Sequence, residues 1–146
     1  MKKFTSIENL QRAVTLQQVS LGIDHSALIQ EFIQSSDSHT VRVETLNGKF
    51  LYAVKVYGSR VEPYSPPQHI VKDVEIIVKA ARLDSGSVEY VIDAGSGQVH
   101  YCNIVALSKF VDTPTEVIGF DPTVSFVDYI EERLWPNYES EPVLID

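Results

Sequence analysis

Thr40-Val41-Arg42-Val43-Glu44-Thr45-Leu46-Asn47-Gly48-Lys49-Phe50-Leu51-Tyr52-Ala53-Val54-Lys55-Val56-Tyr57 is the stretch whose reading decides the fold. Up to Leu46 apolar and polar residues alternate. Val41 and Val43 face one way, Arg42 and Glu44 the other, which is the period-two signature of a strand with two unlike faces. Asn47-Gly48 then supplies what a type I′ turn demands, because both of its central positions have positive φ. Lys49 to Tyr57 returns as a second strand rich in β-branched and aromatic residues. A hairpin with one apolar face must bury that face, so the flanking sequence is read for what covers it.

Downstream, Ile70, Val74, Ile77, Val78 and Ala81 recur at helical spacing and predict a helix over 69–82. Gly86 to Asp93 and Gln98 to Leu107 read as two more strands about the turn Ala94-Gly95-Ser96-Gly97. Asp121-Pro122 opens a last helix, with proline well placed in the first turn and Phe126, Tyr129, Ile130 and Leu134 as its apolar stripe. Upstream, Thr5-Ser6-Ile7-Glu8 has capping-box spacing, and Ile7, Leu10 and Val14 then form one apolar face. Ala27 to Ile33 reads as a short apolar strand. Gly58 to Gln68, with Pro63, Pro66 and Pro67, reads as a stretch without regular structure. The order helix, three strands, helix, two strands, helix predicts one α+β domain over residues 1–146, with a mainly antiparallel sheet of about five strands.

Composition bounds the function. The 146 residues are 44% apolar and carry 20 Asp+Glu against 12 Lys+Arg, a net charge of −8. That is the mix of an ordinary soluble globular domain, long enough to bury a core without staples. No apolar run reaches the roughly 18 residues that span a bilayer, and Met1-Lys2-Lys3 is not followed by a signal-type apolar segment. The lone Cys102 cannot make an internal disulfide and fits a reducing cytoplasm. An acidic chain is a poor partner for phosphate backbones, so nucleic acid is not expected. The charge is uneven: residues 1–110 hold 11 acids and 11 bases, whereas 111–146 hold nine acids and only Arg133. The acidic excess of the last quarter reads as a solvated helix with an acidic tail over 135–146, or as a docking surface for a basic partner.

Candidate chemistry is sparse. His25, His39, His69 and His100 are scattered without metal-ligand spacing and read as surface or turn residues. Cys102, inside an apolar strand, reads as an inert small hydrophobe. No phosphate-binding glycine motif is present, and Gly95-x-Gly97 is a turn. The strand Val88-Glu89-Tyr90-Val91-Ile92-Asp93 is more informative, because Glu89 faces polar positions on its hairpin partner. Two strands can present oxygen ligands to a hard cation such as Mg²⁺ in this way. The same pattern also fits a residue on the solvent face of an alternating strand.

Gln30-Glu31-Phe32-Ile33, then Arg42, Asn47-Gly48, Glu89-Tyr90-Val91-Ile92-Asp93 and the strand through Asn103 and Val105 together resemble, in this order, the C-terminal half of the ATP-grasp fold of carboxylate–amine ligases. The run from Ala106-Leu107-Ser108 to Phe120-Asp121-Pro122 is similar to members of that family as well, so the resemblance covers about residues 3 to 134. It implies that the backbone of Gln30, Glu31, Phe32 and Ile33 meets an adenine edge and that Asp37 holds the ribose hydroxyls. Arg42 would meet phosphates or an acyl-phosphate. Lys55 and Arg60, which no family motif fixes, lie on the same hairpin or just after it, where they would add positive charge. Glu89 and Asn103 would hold Mg²⁺, which neutralises charge developing in phosphoryl transfer.

The match departs from the family at two places. A glycine-rich loop and a phosphate-binding lysine are expected just upstream of the segment beginning at Lys3, so the sequence corresponds to half of the fold. The family's acid-x-Asn pair reads Asn103-x-Val105, which leaves a short and mostly neutral ligand set. The resemblance therefore implies an incomplete half-domain, a pseudoenzyme serving as a nucleotide-binding or assembly module, with ATP and Mg²⁺ bound weakly or not at all. Its alternatives are a subunit of a split ATP-dependent ligase, completed by a chain carrying the N-terminal half, and a structural homodimer. The expected partner is accordingly a second copy or that completing chain.

Overall fold

A computed structural model of the chain describes residues 2–20, 22–24, 26–27, 29–36, 38–108, 110 and 115–134. The chain divides into two compact units, 1–33 and 34–146.

Among its described residues the first unit contains one helix, α1 (Ile7–Thr15). Its N-cap is Ser6, whose hydroxyl accepts the Asn9 amide at 3.2 Å. The cap thus falls one residue later than the Thr5 spacing suggests, and the Thr5 hydroxyl takes the Asn9 side chain instead. Glu8 in the first turn complements the helix dipole. The strand expected over Ala27 to Ile33 does not form among the described residues. An apolar run specifies a strand only where a neighbouring edge pairs with it. Pairing begins further on, where Ser35 forms an isolated bridge with Asp93.

The second unit is built on a sheet of five antiparallel strands: β1 (Thr40–Leu46), β2 (Lys49–Tyr57), β3 (Arg60–Tyr64), β4 (Ser85–Ile92) and β5 (Val99–Val105), in the order β3-β2-β1-β4-β5. Helices α2 (Gln68–Ala80), α3 (Thr115–Ile118) and α4 (Pro122–Leu134) complete it. The α+β class and the antiparallel five-stranded sheet expected from the sequence are what the chain adopts. Asn47 and Gly48 close β1–β2 with φ of 53° and 67°, as a type I′ turn requires.

The strand count was right, but one member differs. Residues 60–64, expected to be irregular, form β3. Gly58 (φ 61°) and Ser59 make a second two-residue hairpin turn, and Pro63 is tolerated because β3 is an edge.

Strand alternation gives the sheet two different faces. Val41, Val43, Ala53, Val88 and Tyr90 pack on Ile70, Val74 and Val78 of α2, and this is the core. The opposite face is covered over its centre, at Arg42, Glu44, Tyr52 and Val54. The chain after β5 returns over it, where Tyr52 lies 6.4 Å from the Phe110 ring and 5.9 Å from the Phe120 ring, and Phe110 meets Phe126 of α4. β1 is therefore buried on both faces, polar residues included. α4 is held by Asp84, whose carboxylate accepts Tyr129 Oη–H at 2.8 Å and Arg133 at 3.2 Å. No helix among the described residues is long and apolar enough to cross a membrane.

Candidate polar site on the second sheet face

Antiparallel register places Val54, Arg42, Glu89 and Asn103 side by side across β2, β1, β4 and β5. The next rung on the same face reads Tyr52, Glu44, Ser87, Val105. Arg42, Glu89 and Asn103, far apart in sequence, thus form one polar row, with Val105 one rung away from Asn103.

Within these two rungs the charges are already engaged. Arg42 is only 5% exposed, and its Nε lies 3.0 Å from Glu44 Oε1, a carboxylate with no exposure at all. The other oxygen of Glu44 accepts the Ser108 hydroxyl. Burial in low dielectric makes an unpaired charge costly, so the arginine and the carboxylate stabilise each other here. Half-buried Glu89 accepts the Asn103 side-chain amide at 3.2 Å. Ser87 is fully buried beside Glu44.

The bulge at Glu89/Tyr90 leaves Cys102 as an extra residue on β5, its Sγ 3.5 Å from the Glu89 carbonyl. It is exposed rather than packed inside the strand. Partial burial, and then the Glu89 charge, push its thiol above the ordinary value, which disfavours the reactive thiolate.

Other expected positive charges do not join this row. Lys55 pairs in register with Val41, the core-facing neighbour of Arg42, and its ammonium sits 5.0 Å from the Tyr64 ring. Arg60 is ion-paired with Glu62 at 3.1 Å. His39, read as a surface or turn residue, is instead 9% exposed and its ring lies 5.0 Å from that of Tyr57. His25 lies outside the described residues, as do Asp37, the expected ribose ligand, and the acidic tail 135–146.

Gln30, Glu31, Phe32 and Ile33 belong to the first unit, where Lys3 Nζ sits 3.7 Å above the Phe32 ring. An open groove of about 510 Å³ beside α4, lined by Leu83, Asp84, Phe126, Tyr129 and Ile130, includes none of the residues of the polar row. Among the described residues no three His, Cys, Asp or Glu side chains converge in a metal-binding group.

Glu44 and Ser108 were not among the expected site residues. Arg-x-Glu spacing in an alternating strand puts both side chains on one face, and that signal was legible for Glu44. Ser108 becomes a partner only through the return of the chain over the sheet, which no local pattern encodes.

Comparison with solved structures gives the class: the fold is ATP-grasp-like, in part. No protein-family model and no curated protein sequence matches the chain. Solved structures do. ATP-grasp ligase PsnB, complexed with a phosphomimetic variant of minimal precursor, Mg and ADP, superposes with a TM-score of 0.59 at 15% identity, over 72% of this chain and 34% of that one. Macrocyclase MdnB from Microcystis aeruginosa MRC gives 0.53 at 14% identity, over 90% and 46%. A RiPP-associated ATP-grasp ligase from Chryseobacterium gregarium, in complex with ADP and a leader and core peptide, gives 0.52 at 14% identity, over 75% and 36%. The chain thus spans between a third and a half of the length of these structures.

Proposed function

We propose that the chain is an ATP-grasp-like binding or assembly module that does not carry out ligation by itself. The observation that supports this reading is the make-up of the polar row. Mg²⁺ demands an octahedron of oxygens and favours carboxylates. The row offers the Glu89 carboxylate and the Asn103 amide, already hydrogen-bonded to each other, and Val105 offers nothing. These residues do not fit a resident Mg²⁺, so no phosphoryl-transfer step is assigned to them. The charge of Arg42 is likewise met by Glu44 rather than held open for an anion. On this reading nucleotide binds no tighter than about millimolar, because the row brings no Mg²⁺ to its phosphates.

Thermal melting with Mg·ATP tests the proposal. At about 5 mM ligand and a Kd of about 1 mM the linkage is worth about 1 kcal/mol, a rise of roughly 3 °C. A rise of roughly 10 °C would mean a Kd of about 30 µM and would overturn the proposal. So would Mg-dependent ADP release that disappears in Glu89→Ala.

A second reading is a subunit of a split ATP-dependent carboxylate–amine ligase, completed by another polypeptide. It is favoured by the register that keeps Arg42, Glu89 and Asn103 in one row. Affinity capture of a chain whose addition confers Mg-dependent ADP release would establish it. Capture that yields no such chain would count against it.

A further inference from the structure

The two edges of the sheet are chemically unlike. β3 reads Arg60-Val61-Glu62-Pro63-Tyr64, with a charge of each sign and a proline. Charges and proline are the usual devices that stop an edge from recruiting another strand. β5, at the other edge, reads Val99-His100-Tyr101-Cys102-Asn103-Ile104-Val105 and has neither. It lies within Ala94 to Ser108, fifteen consecutive residues without Asp, Glu, Lys or Arg in a chain of net charge −8. Cys102, Asn103 and Ile104 are exposed, and apolar side chains are uncovered there: Ile104 is 51% exposed and nearby Leu107 is 80% exposed.

We propose that β5 pairs antiparallel with β5 of a second copy of this chain about a two-fold axis, joining two five-stranded sheets into one of ten strands. Two-fold symmetry brings a patch onto itself, so the patch must be self-complementary. An uncharged, β-branched and aromatic strand meets that condition, because like charges directly opposite one another destabilise a strand pair. Two acidic chains also repel at long range, and this neutral strip is where they approach with the least repulsion. The seam runs beside Asn103, so the partner strand extends the rungs that carry Arg42, Glu89 and Asn103.

The test uses the full chain in sedimentation velocity from about 1 to about 200 µM, a range that brackets a micromolar Kd. Dimer is expected at the upper end. Ile104→Lys, at a half-exposed position, should weaken the dimer at least tenfold. Val61→Lys on the opposite edge should leave it intact, and circular dichroism confirms that both variants fold. Cys102, the single cysteine, gives a second readout. Its alkylation should slow as concentration rises in the parent chain and become independent of concentration in Ile104→Lys. A monomer at the top concentration, a dimer indifferent to Ile104→Lys, or alkylation indifferent to concentration would each refute the pairing.

Discussion

Replacing Glu44 by Gln is the sharpest probe of the second sheet face. Gln keeps the size of Glu44 and can still meet Ser108, but it removes the negative charge 3.0 Å from Arg42 Nε. Charge centres about 4 Å apart interact by about 4 kcal/mol at an effective dielectric of about 20. Breaking a buried pair by removing one partner costs about 3–5 kcal/mol, because the surviving charge stays desolvated. Glu89, directly across on β4, tempers this from its half-buried position, so we expect a loss of about 3 kcal/mol, at the low end of the range. In a chain of this size that lowers Tm by roughly 10 °C. Urea unfolding of the parent, Glu44→Gln, Arg42→Met and the double variant completes the cycle. The double variant should lose much less stability than the sum of the single losses, since it leaves no buried ion behind. A loss below about 1 kcal/mol for Glu44→Gln, or additive single effects, would show that Arg42 does not depend on Glu44 and would sink the account of its occupied charge.

Three more outcomes are expected. A Cβ on Gly86 would lie 2.5 Å from the Val105 carbonyl oxygen, so Gly86→Ala should force β4 and β5 apart and destabilise the chain by about 1–3 kcal/mol in denaturant melts; an unchanged midpoint would contradict this close approach. Asn103→Glu combined with Val105→Asn rebuilds an acid-x-Asn pair beside Glu89 and should create a Mg²⁺-dependent rise in Tm that the parent lacks; an equal response in the two would locate the deficit elsewhere. Asp93 accepts hydrogen bonds from the Ser96 amide and hydroxyl and from the Gly95 amide, which lower its pKa below the usual carboxylate value. The folded pKa is the depressed one, so the turn gains stability above the unfolded value, about 3.9, and loses it as pH falls through the folded one. Amide shifts of Gly95 and Ser96 should titrate below that value and lose this titration in Asp93→Asn, whereas a midpoint at or above it would contradict the geometry.

What the sequence disclosed follows the range of the forces involved. Asn47-Gly48 sets the pairs Leu46–Lys49 and Thr45–Phe50, because a two-residue turn with two positive φ angles admits few alternatives; a bulge between Glu44 and Thr45, which no local pattern announces, then shifts the register by one and brings Arg42 opposite Val54. The helix over 68–80 was legible because Ile70, Val74 and Val78 each bury against the sheet at helical spacing. β3 is hard to read from sequence because Pro63 argues against a strand, although Gly58-Ser59 is itself a two-residue hairpin signal. Ala27 to Ile33 failed in the opposite sense: its apolar run was visible, but whether a strand forms depends on a pairing partner that local pattern does not name. The candidate row divides in the same way. Arg42, Glu89 and Asn103 came from a family resemblance, and register then set them adjacent. The engagement of Arg42 by Glu44 under the returning chain needed three dimensions.

Alternation also explains how an ATP-grasp-like fold can stand with so spare a polar site. Val41, Val43 and Val88, which hold α2 to the sheet, sit one residue away from Arg42, Glu44 and Glu89, yet on the opposite face. Side chains on one face can change with little effect on packing across the other, because each strand residue touches one layer only. Asn103 and Val105 occupy an edge strand, where a substitution disturbs fewer neighbours still. Arg42 and Glu44 are different. They lie on the central strand, buried on both sides, and there an ion is tolerated only beside its counter-ion. On the proposed reading the centre of the face has thereby become part of the fold's stability, and the β5 edge is the surface left for encounter with another chain.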